Sequence, residues 1–360
     1  NAGPLPSPQP LDAGHRRVLY ASLDLAREPD AIPDLLRAAR RLHPDPTGEW
    51  YVFLDEVTTV PDWQIGVKYA VDVGLLDGAY LLCTGSSAHR MGTEQLVGRR
   101  RGGRDFVQLP MSFRDDVTSV VGIDLPPPLG VPDLVTQVGR SSLAAINLSS
   151  SELDPAMDGY LEHGGLPRAV AESIEAGALS HETMFVLWNM LASDLAVIGR
   201  DPAAALGALR HIVRALGAPM EWTSLAEAMG VRSPHTAKEY ATLMAEAFLL
   251  LLVYFWDAST GVINPSKQRK AYPLDPLMAR LPQALEPGAH NPSTDGLIEG
   301  LVGQVLYRSG SDRLTLSDPA PRSIGVWRSR RGTEVDFVIG GQDGPIAVEV
   351  RGDSRQGISR

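Results

Sequence analysis

The feature that most constrains the fold is an apolar stretch that ends in two adjacent carboxylates. Residues 50–57 read WYVFLDEV, in which Asp55 and Glu56 directly follow the apolar residues. A short apolar run of this kind predicts a buried strand of a parallel sheet. Open α/β sheets bind their ligands beyond the carboxyl ends of such strands. We therefore expect Asp55 and Glu56 at a ligand-binding edge.

Two further stretches predict neighbouring strands. Residues 79–87 read AYLLCTGSS, residues 16–24 read RRVLYASLD, and residues 63–76 favour a crossover helix. Strand, helix and strand at this spacing predict a βαβ unit, and hence a parallel sheet. Thr84 and Ser86 would then lie at the same edge as the two carboxylates.

These residue types suit hydrolysis of a nucleoside triphosphate. Asp55 would hold Mg²⁺ through water, and Glu56 would polarise a water for in-line attack on the γ-phosphate. Thr84 or Ser86 would approach that water from the next strand. The alternative is that the carboxylates merely lead out of a strand into solvent. Two buried strands that both end in polar side chains favour the functional interpretation.

Composition bounds the class of protein. The chain has 360 residues with 44% hydrophobic and 21% charged residues, which predicts a globular protein of two or three domains. The net charge of −10 argues against a surface that coats nucleic acid indiscriminately. The single cysteine, Cys83, fits a reducing cytoplasm. The longest apolar run, residues 247–256, is too short to span a bilayer, so we expect no membrane segment.

An arginine-rich segment follows the third predicted strand. Residues 96–104 read LVGRRRGGR and include Arg99 and Arg100. In an oligomeric ATPase, an arginine at the subunit edge can neutralise charge on the phosphoryl group of the neighbouring subunit. A solvated loop or a nucleic-acid contact would have the same composition, so composition alone does not decide between these interpretations.

A second group of acids lies near the C-terminus. Glu299, Asp336, Glu349 and Arg351 resemble the D…ExK signature of restriction-endonuclease-like folds. Clustered carboxylates on adjacent strands, here Asp336 and Glu349, would hold Mg²⁺ beside a scissile phosphate. Arg351 stands where a lysine is usual; it keeps the positive charge but is effectively never deprotonated. The alternative is that these acids are surface charges of a scaffold.

Residues 221–255 predict a helix, a tight turn, a longer helix and an apolar strand. Ala226 and Gly230 are four residues apart, as a helix-turn-helix requires for close packing and for the turn. Such a module would place Arg232, His235 and Lys238 towards DNA phosphates. Many modules of this kind only pack against other proteins, so both interpretations stay open.

The order of motifs adds a resemblance that covers nearly the whole chain. WYVFLDEVTTVPDWQIGVKYAVDVG, LLCTGSSAHRM, EQLVGRR and LPMSFRD follow one another closely, and HGGLPRAV, AYPLDP, IEGLVGQVLYR and EVDFVI come later. This combination resembles prokaryotic AAA-type ATPases with a C-terminal domain of unknown function that has a nuclease-like fold. The resemblance implies ATP and Mg²⁺ as cofactors and a homo-oligomer. By this resemblance, Asp55 and Glu56 are the Walker B pair, and Thr84 or Ser86 lies in the sensor strand. Arg99 or Arg100 is the candidate arginine finger.

The chain departs from that family at its beginning. The family has a G-x-x-x-x-G-K-[ST] loop before the strand that matches residues 16–24, but residues 1–49 contain no such motif and no lysine precedes Lys68. Without the N–H groups and the lysine of this loop, the phosphates lose most of their binding site. Either the copy is incomplete or it no longer binds ATP, and the start at Asn1 favours an incomplete copy. We predict that residues 1–360 alone bind ATP poorly.

Taken together, the patterns predict a cytoplasmic α/β multidomain protein. We expect an ATPase core without its phosphate loop over 1–122, a helical lid region over 123–215, a winged helix over 216–258, a linker over 259–296 and a restriction-endonuclease-like domain over 297–360. The leading hypothesis is an oligomeric ATPase that acts on DNA or a protein partner. The alternatives are a Mg²⁺-dependent nuclease and a non-enzymatic DNA- or protein-binding module.

Overall fold

A computed structural model describes residues 16–42, 49–85, 106–197, 199–286, 288–309, 324–329, 331–341 and 344–351. The chain forms two compact units, residues 1–105 and 106–360. The first unit therefore ends earlier than the 1–122 core that we expected. Within the described ranges, no helix has the length and apolar character needed to cross a membrane.

The first unit alternates strands and helices. Its elements are β1 Arg16–Ser22, α1 Ala31–Leu42, β2 Glu49–Asp55, α2 Trp63–Asp72 and β3 Ala79–Cys83. The strands form a parallel sheet in the order β1-β2-β3. This confirms the parallel βαβ arrangement predicted from the spacing of the apolar runs.

Buried and less buried residues alternate along β2, so the two faces of this sheet have different environments. Trp50, Val52 and Leu54 are buried, and they share a hydrophobic core with α1 and α2. Side chains of the intervening residues point to the opposite face, because successive residues of a strand alternate. In-register neighbours on that face include Tyr20 and Tyr80, which are 63% and 60% exposed. The face therefore stays open in the described part of this unit.

The second unit is larger and begins with helices. Its helices are α3 Phe113–Asp116, α4 Gln137–Leu148, α5 Ser150–His163, α6 Pro167–Ala176, α7 His181–Val197, α8 Pro202–Arg214, α9 Trp222–Met229, α10 Pro234–Glu246, α11 Pro276–Leu285 and α12 Thr294–Ser309. Its strands are β4 Leu250–Asp257, β5 Val262–Pro273, β6 Ile324–Arg328, β7 Glu334–Gly341 and β8 Gly344–Val348. The protein is thus α/β, with a parallel sheet, a helical middle and a mixed sheet.

The mixed sheet corrects two boundaries. Its strand order is β5-β4-β6-β7-β8, with β4 and β6 parallel and the other neighbours antiparallel. The expected linker at 259–296 is wrong over much of its length, because it contains β5 and α11. Polar residues dominate VINPSKQRK, the first part of β5, so its sequence lacks the alternation of a strand, and pairing with β4 determines its structure instead. The sheet consequently extends beyond the 297–360 region that we expected.

The helix-turn-helix prediction is confirmed at the level of secondary structure. α9 ends at Gly230, which has a φ of 70°, and α10 starts after Ser233 caps it by accepting a hydrogen bond from His235 N. Gly230 fits this position because its φ lies in the left-handed region. Ala226 is buried within the core that α8, α9 and α10 share.

Several motifs behind the family resemblance meet in one buried junction. Asp275 accepts hydrogen bonds from Leu277 N at 2.9 Å and Gly165 N at 2.8 Å, and it thereby caps α11. A Cβ on Gly164 would lie 2.0 Å from Asp275 Oδ1. Gly165 O in turn accepts from Met111 N at 2.8 Å. The sequences HGGLPRAV, AYPLDP and LPMSFRD thus contribute to the packing of the second unit.

Candidate functional site

The carboxyl edge of the parallel sheet brings together a row of polar residues. Asp55 ends β2 and pairs in register with Ser22 of β1. Thr84 follows the end of β3, where its N donates to Leu54 O at 2.9 Å and its O accepts from Val57 N at 2.9 Å. These backbone bonds fix Thr84 beside Asp55. The predicted juxtaposition of the two strand ends is therefore present in the fold.

Two hydroxyl groups bind the Asp55 carboxylate. Thr84 Oγ1 donates to Asp55 Oδ1, and the Tyr20 hydroxyl donates to Asp55 Oδ2 at 2.7 Å. These two bonds hold the pKa of Asp55 below its ordinary value, because they favour the ionised form. The same contact raises the pKa of Tyr20. Asp55 is consequently a charged, oriented carboxylate at the sheet edge.

Glu56 occupies a constrained backbone position. Its φ is 54° and its ψ is 40°, in the left-handed region that residues other than glycine seldom adopt. Its carbonyl oxygen accepts from Thr59 Oγ1 at 2.7 Å and from Thr59 N at 3.1 Å. This turn directs the chain away from the strand immediately after Asp55. Left-handed residues of this kind are concentrated at functional sites.

The oxygens at this edge fit a Mg²⁺ ion that is shared with a nucleotide. Mg²⁺ prefers oxygen ligands and keeps several waters, and it commonly binds through one or two carboxylates together with substrate phosphates. In the described parts of the chain, no group of three or more His, Cys, Asp or Glu residues could hold a metal ion. At this edge Asp55 could therefore hold the ion only through water, with phosphate and water oxygens as its ligands, while the hydroxyl of Thr84 keeps the carboxylate in place.

Sequence reasoning missed one residue of this edge and assigned three others that cannot be placed. Tyr20 donates a hydrogen bond to Asp55. The alternation of residues along β1, which places Tyr20 on the open face of the sheet, could have indicated this contact from the sequence. Ser86, Arg99 and Arg100 lie outside the described residues. Their assigned sensor and finger roles therefore stay predictions.

The C-terminal acids are only partly brought together. Glu299 on α12 and Asp336 on β7 both accept from Lys270 Nζ, at 2.7 Å and 3.2 Å. Glu349 lies one residue beyond β8 and is exposed, and Arg351 is also exposed. In the described residues, neither belongs to the ion pairs around Lys270. The structure therefore groups two of these four residues.

Lys270 and Glu334 were not singled out from the sequence. Lys270 lies on β5, its side chain is 1% exposed, and it also forms an ion pair with Glu334 Oε1. Glu334 precedes Asp336 by two residues on β7, so both lie on one side of that strand. This spacing of two residues, together with the scarcity of lysine among the basic residues, could have indicated Glu334 and Lys270 from the sequence.

The helix-turn-helix segment carries few basic residues. Arg232, His235 and Lys238 are exposed, as expected for residues that could reach phosphates. However, His235 Nδ1 lies 3.5 Å from Glu239 Oε1. Residues 216–258 hold two Lys or Arg and five Asp or Glu residues. This negative balance opposes phosphate binding, which depends on positive charge.

A parallel sheet with carboxylates and a hydroxyl at its carboxyl edge is the arrangement in which α/β proteins bind nucleotides. The family model described as AAA domain matches residues 9–116, so this part of the chain is similar to AAA domains, which suggests a P-loop ATPase. The match includes β1, β2 and β3, whereas the mixed sheet lies outside it. No curated protein and no solved structure matched the chain.

Proposed function

We propose that the first unit contributes the magnesium- and water-binding half of an ATP-hydrolysis site. Asp55 holds Mg²⁺ through water, and Glu56 orients the attacking water. Thr84 holds the Asp55 carboxylate in place, and Ser86 is the alternative candidate for the sensor residue. Mg²⁺ would neutralise charge that develops on the phosphates. The protein would act as a homo-oligomer, with Arg99 or Arg100 reaching the nucleotide of a neighbouring subunit.

The observation that carries this proposal is the Asp55–Thr84 contact at the carboxyl edge. A solvated strand end needs no fixed partner for its carboxylate. Here hydroxyls from both neighbouring strands, on Tyr20 and Thr84, bind the two oxygens of Asp55. The AAA-domain similarity of residues 9–116 gives independent support.

The other half of such a site, the phosphate loop, has no motif in residues 1–360. We therefore expect weak ATP binding by this chain alone. A protein that carries a G-x-x-x-x-G-K-[ST] loop ahead of Arg16 is expected to bind a fluorescent ATP analogue in a Mg²⁺-dependent manner. The loop would provide N–H groups and a lysine for the phosphates.

The binding experiment compares Asp55→Asn with Asp62→Asn in the loop-bearing protein. Asp62 is an acid of the same unit, but it precedes α2 rather than ending a strand. We expect Asp55→Asn to remove the Mg²⁺ dependence and Asp62→Asn to keep it. Equal Mg²⁺ dependence in both variants would contradict the role of Asp55.

As a second function we propose a winged-helix interaction module that binds a protein partner. β4 and β5 form an antiparallel hairpin after α10, and an isolated bridge joins Met220 to Arg269 of β5. Helices followed by such a hairpin are the arrangement of a winged helix. The acidic balance of residues 216–258 favours protein over DNA.

A duplex-binding titration at low and high salt tests this choice of partner. We expect negligible binding at either salt concentration, because few cations are available to release counterions. Salt-sensitive duplex binding that weakens in Lys238→Ala would instead support a DNA-binding module.

A further inference from the structure

A buried lysine lies at the centre of the acidic cluster of the mixed sheet. We call Lys270, Glu299, Glu334 and Asp336 the Lys270 cluster. The ammonium of Lys270 contacts carboxylates from α12 and from β7, although Lys270 itself belongs to the edge strand β5. Its side chain is 1% exposed. An ammonium buried to this extent is stable only with close ionic partners.

Donors of the chain bind both oxygens of Asp336 and one oxygen of Glu299. Asp336 Oδ1 accepts from Lys270 Nζ at 3.2 Å, and Asp336 Oδ2 accepts from Val350 N at 2.9 Å. Glu299 Oε1 accepts both from Lys270 Nζ at 2.7 Å and from the Tyr272 hydroxyl. Donors of the protein thus occupy most of the carboxylate oxygens that metal ligation would require.

The third carboxylate also faces cations of the chain. Glu334 Oε1 forms an ion pair with Lys270 Nζ, and Glu334 Oε2 lies 3.6 Å from Arg328 Nε. Two cations therefore face three carboxylates in this region. A divalent cation in the same position would be repelled by the ammonium at short range.

The remaining nuclease-like residues do not complete a metal site. A metal held between adjacent strands needs carboxylates that converge on it. Glu349 is exposed beyond the end of β8, whereas Asp336 is turned towards Lys270 and the backbone of Val350. The residues present therefore do not fit the Mg²⁺ ion that a nuclease-like fold implies.

We propose that the Lys270 ammonium occupies the cation position of this cluster, so that the mixed sheet carries a cation site filled from within the chain. Glu299, Glu334 and Asp336 then bind Lys270 in place of a divalent metal. The module holds no metal for phosphodiester cleavage, and its acids stabilise the packing of β5 and α12 on β7. This inference concerns the second unit and is independent of the ATPase proposal.

The first arm of the test measures Mn²⁺ binding to the nucleotide-free full chain by electron paramagnetic resonance. Mn²⁺ is a suitable probe because it favours oxygen ligands as Mg²⁺ does. We expect the wild type and Asp336→Asn to bind the same amount of Mn²⁺. A stoichiometric Mn²⁺ ion that the wild type binds and Asp336→Asn loses would overturn the proposal. This comparison does not depend on any change at Lys270.

The second arm removes the internal cation. Lys270→Ala is expected to bind one more Mn²⁺ ion than the wild type, and the double variant Lys270→Ala/Asp336→Asn is expected to lose that ion. Lys267→Ala serves as the matched control, because Lys267 lies on the same strand and forms an exposed ion pair with Asp257 at 3.0 Å. A folded Lys270→Ala protein that gains no Mn²⁺ ion would show that the ammonium does not occupy a cation position.

Discussion

Two hydrogen bonds favour the ionised form of the Asp55 carboxylate in the proposed ATP site. Asp55 has an oxygen partner on each neighbouring strand, and both partners donate to the ionised carboxylate. Its folded pKa is therefore lowered, and its contribution to stability is present above the unfolded pKa. That contribution is lost as the pH falls through the lower folded value.

Replacing Thr84 by valine tests this arrangement. Thr84→Val removes the hydrogen bond with the largest effect on Asp55, so the pKa of Asp55 should rise towards its ordinary value. Thr59→Val is the matched control, because Thr59 donates to the carbonyl oxygens of Leu23 and Glu56 rather than to Asp55. Carboxyl ¹³C chemical shifts across an acid titration measure the effect. An unchanged pKa in Thr84→Val would refute the contact.

Lys270 and Lys267 lie on the same strand, but we expect their ion pairs to contribute very differently to the free energy of unfolding. Lys270→Met should lower the free energy of unfolding by about 3–5 kcal/mol, because it leaves buried carboxylates without their cation. Lys267→Met, in which an exposed pair is lost, should cost less than about 1 kcal/mol. Chemical denaturation of the full chain measures both. Equal losses would contradict the buried position of Lys270.

At the scale of elements, the cap of α11 predicts a dependence on pH. Burial raises the pKa of Asp275 to about 6, although N–H groups of Gly165 and Leu277 oppose the rise. Because the pKa of Asp275 is raised in the folded state, its contribution to stability is fully present below the unfolded pKa. That contribution is lost as the pH rises through the folded pKa. The loss should be on the order of 2 kcal/mol between about pH 4 and pH 6.

Asp275→Asn should remove that pH dependence. The variant loses the bond from Gly165 N at every pH, so its absolute stability is lower. The informative quantity is the change in unfolding free energy between pH 4 and pH 6, compared with that of the wild type. If both proteins show the same change, Asp275 is not the titrating group.

Elements with strong apolar patterns were predictable, and those determined by distant partners were not. The predicted strand at residues 50–57 became β2 because its alternating residues Trp50, Val52 and Leu54 fill one core. By contrast, β5 has a polar first part, and this composition predicts a linker. Its structure depends on pairing with β4, which local sequence does not reveal.

The same distinction applies to the candidate sites. The position of Asp55 and Glu56 at the carboxyl edge was predictable, because the end of a buried parallel strand is a local signal. The Lys270 cluster was not, because Lys270 and Asp336 are 66 residues apart and meet only in the folded sheet. Sequence reasoning instead paired Asp336 with Glu349, which is near in sequence but exposed.

At the scale of the whole molecule, the two units have separate chemistry. The AAA-like similarity and the Asp55 edge belong to the region around the parallel sheet, whereas Glu299, Glu334 and Asp336 of the second unit bind the internal ammonium of Lys270. The ATPase proposal concerns the first unit, and the Lys270 proposal concerns the second. The net charge of −10 agrees with a limited role for nucleic-acid phosphates.

The most direct measurement is ATP turnover by a loop-bearing protein with and without Glu56→Gln. Removing the group that orients the attacking water should lower kcat by at least about 10²-fold, while nucleotide binding is kept. Asp62→Asn, a change at another left-handed acidic residue of the same unit, should leave turnover unchanged. Equal turnover in the wild type and Glu56→Gln would contradict the proposal that this sheet edge hydrolyses ATP.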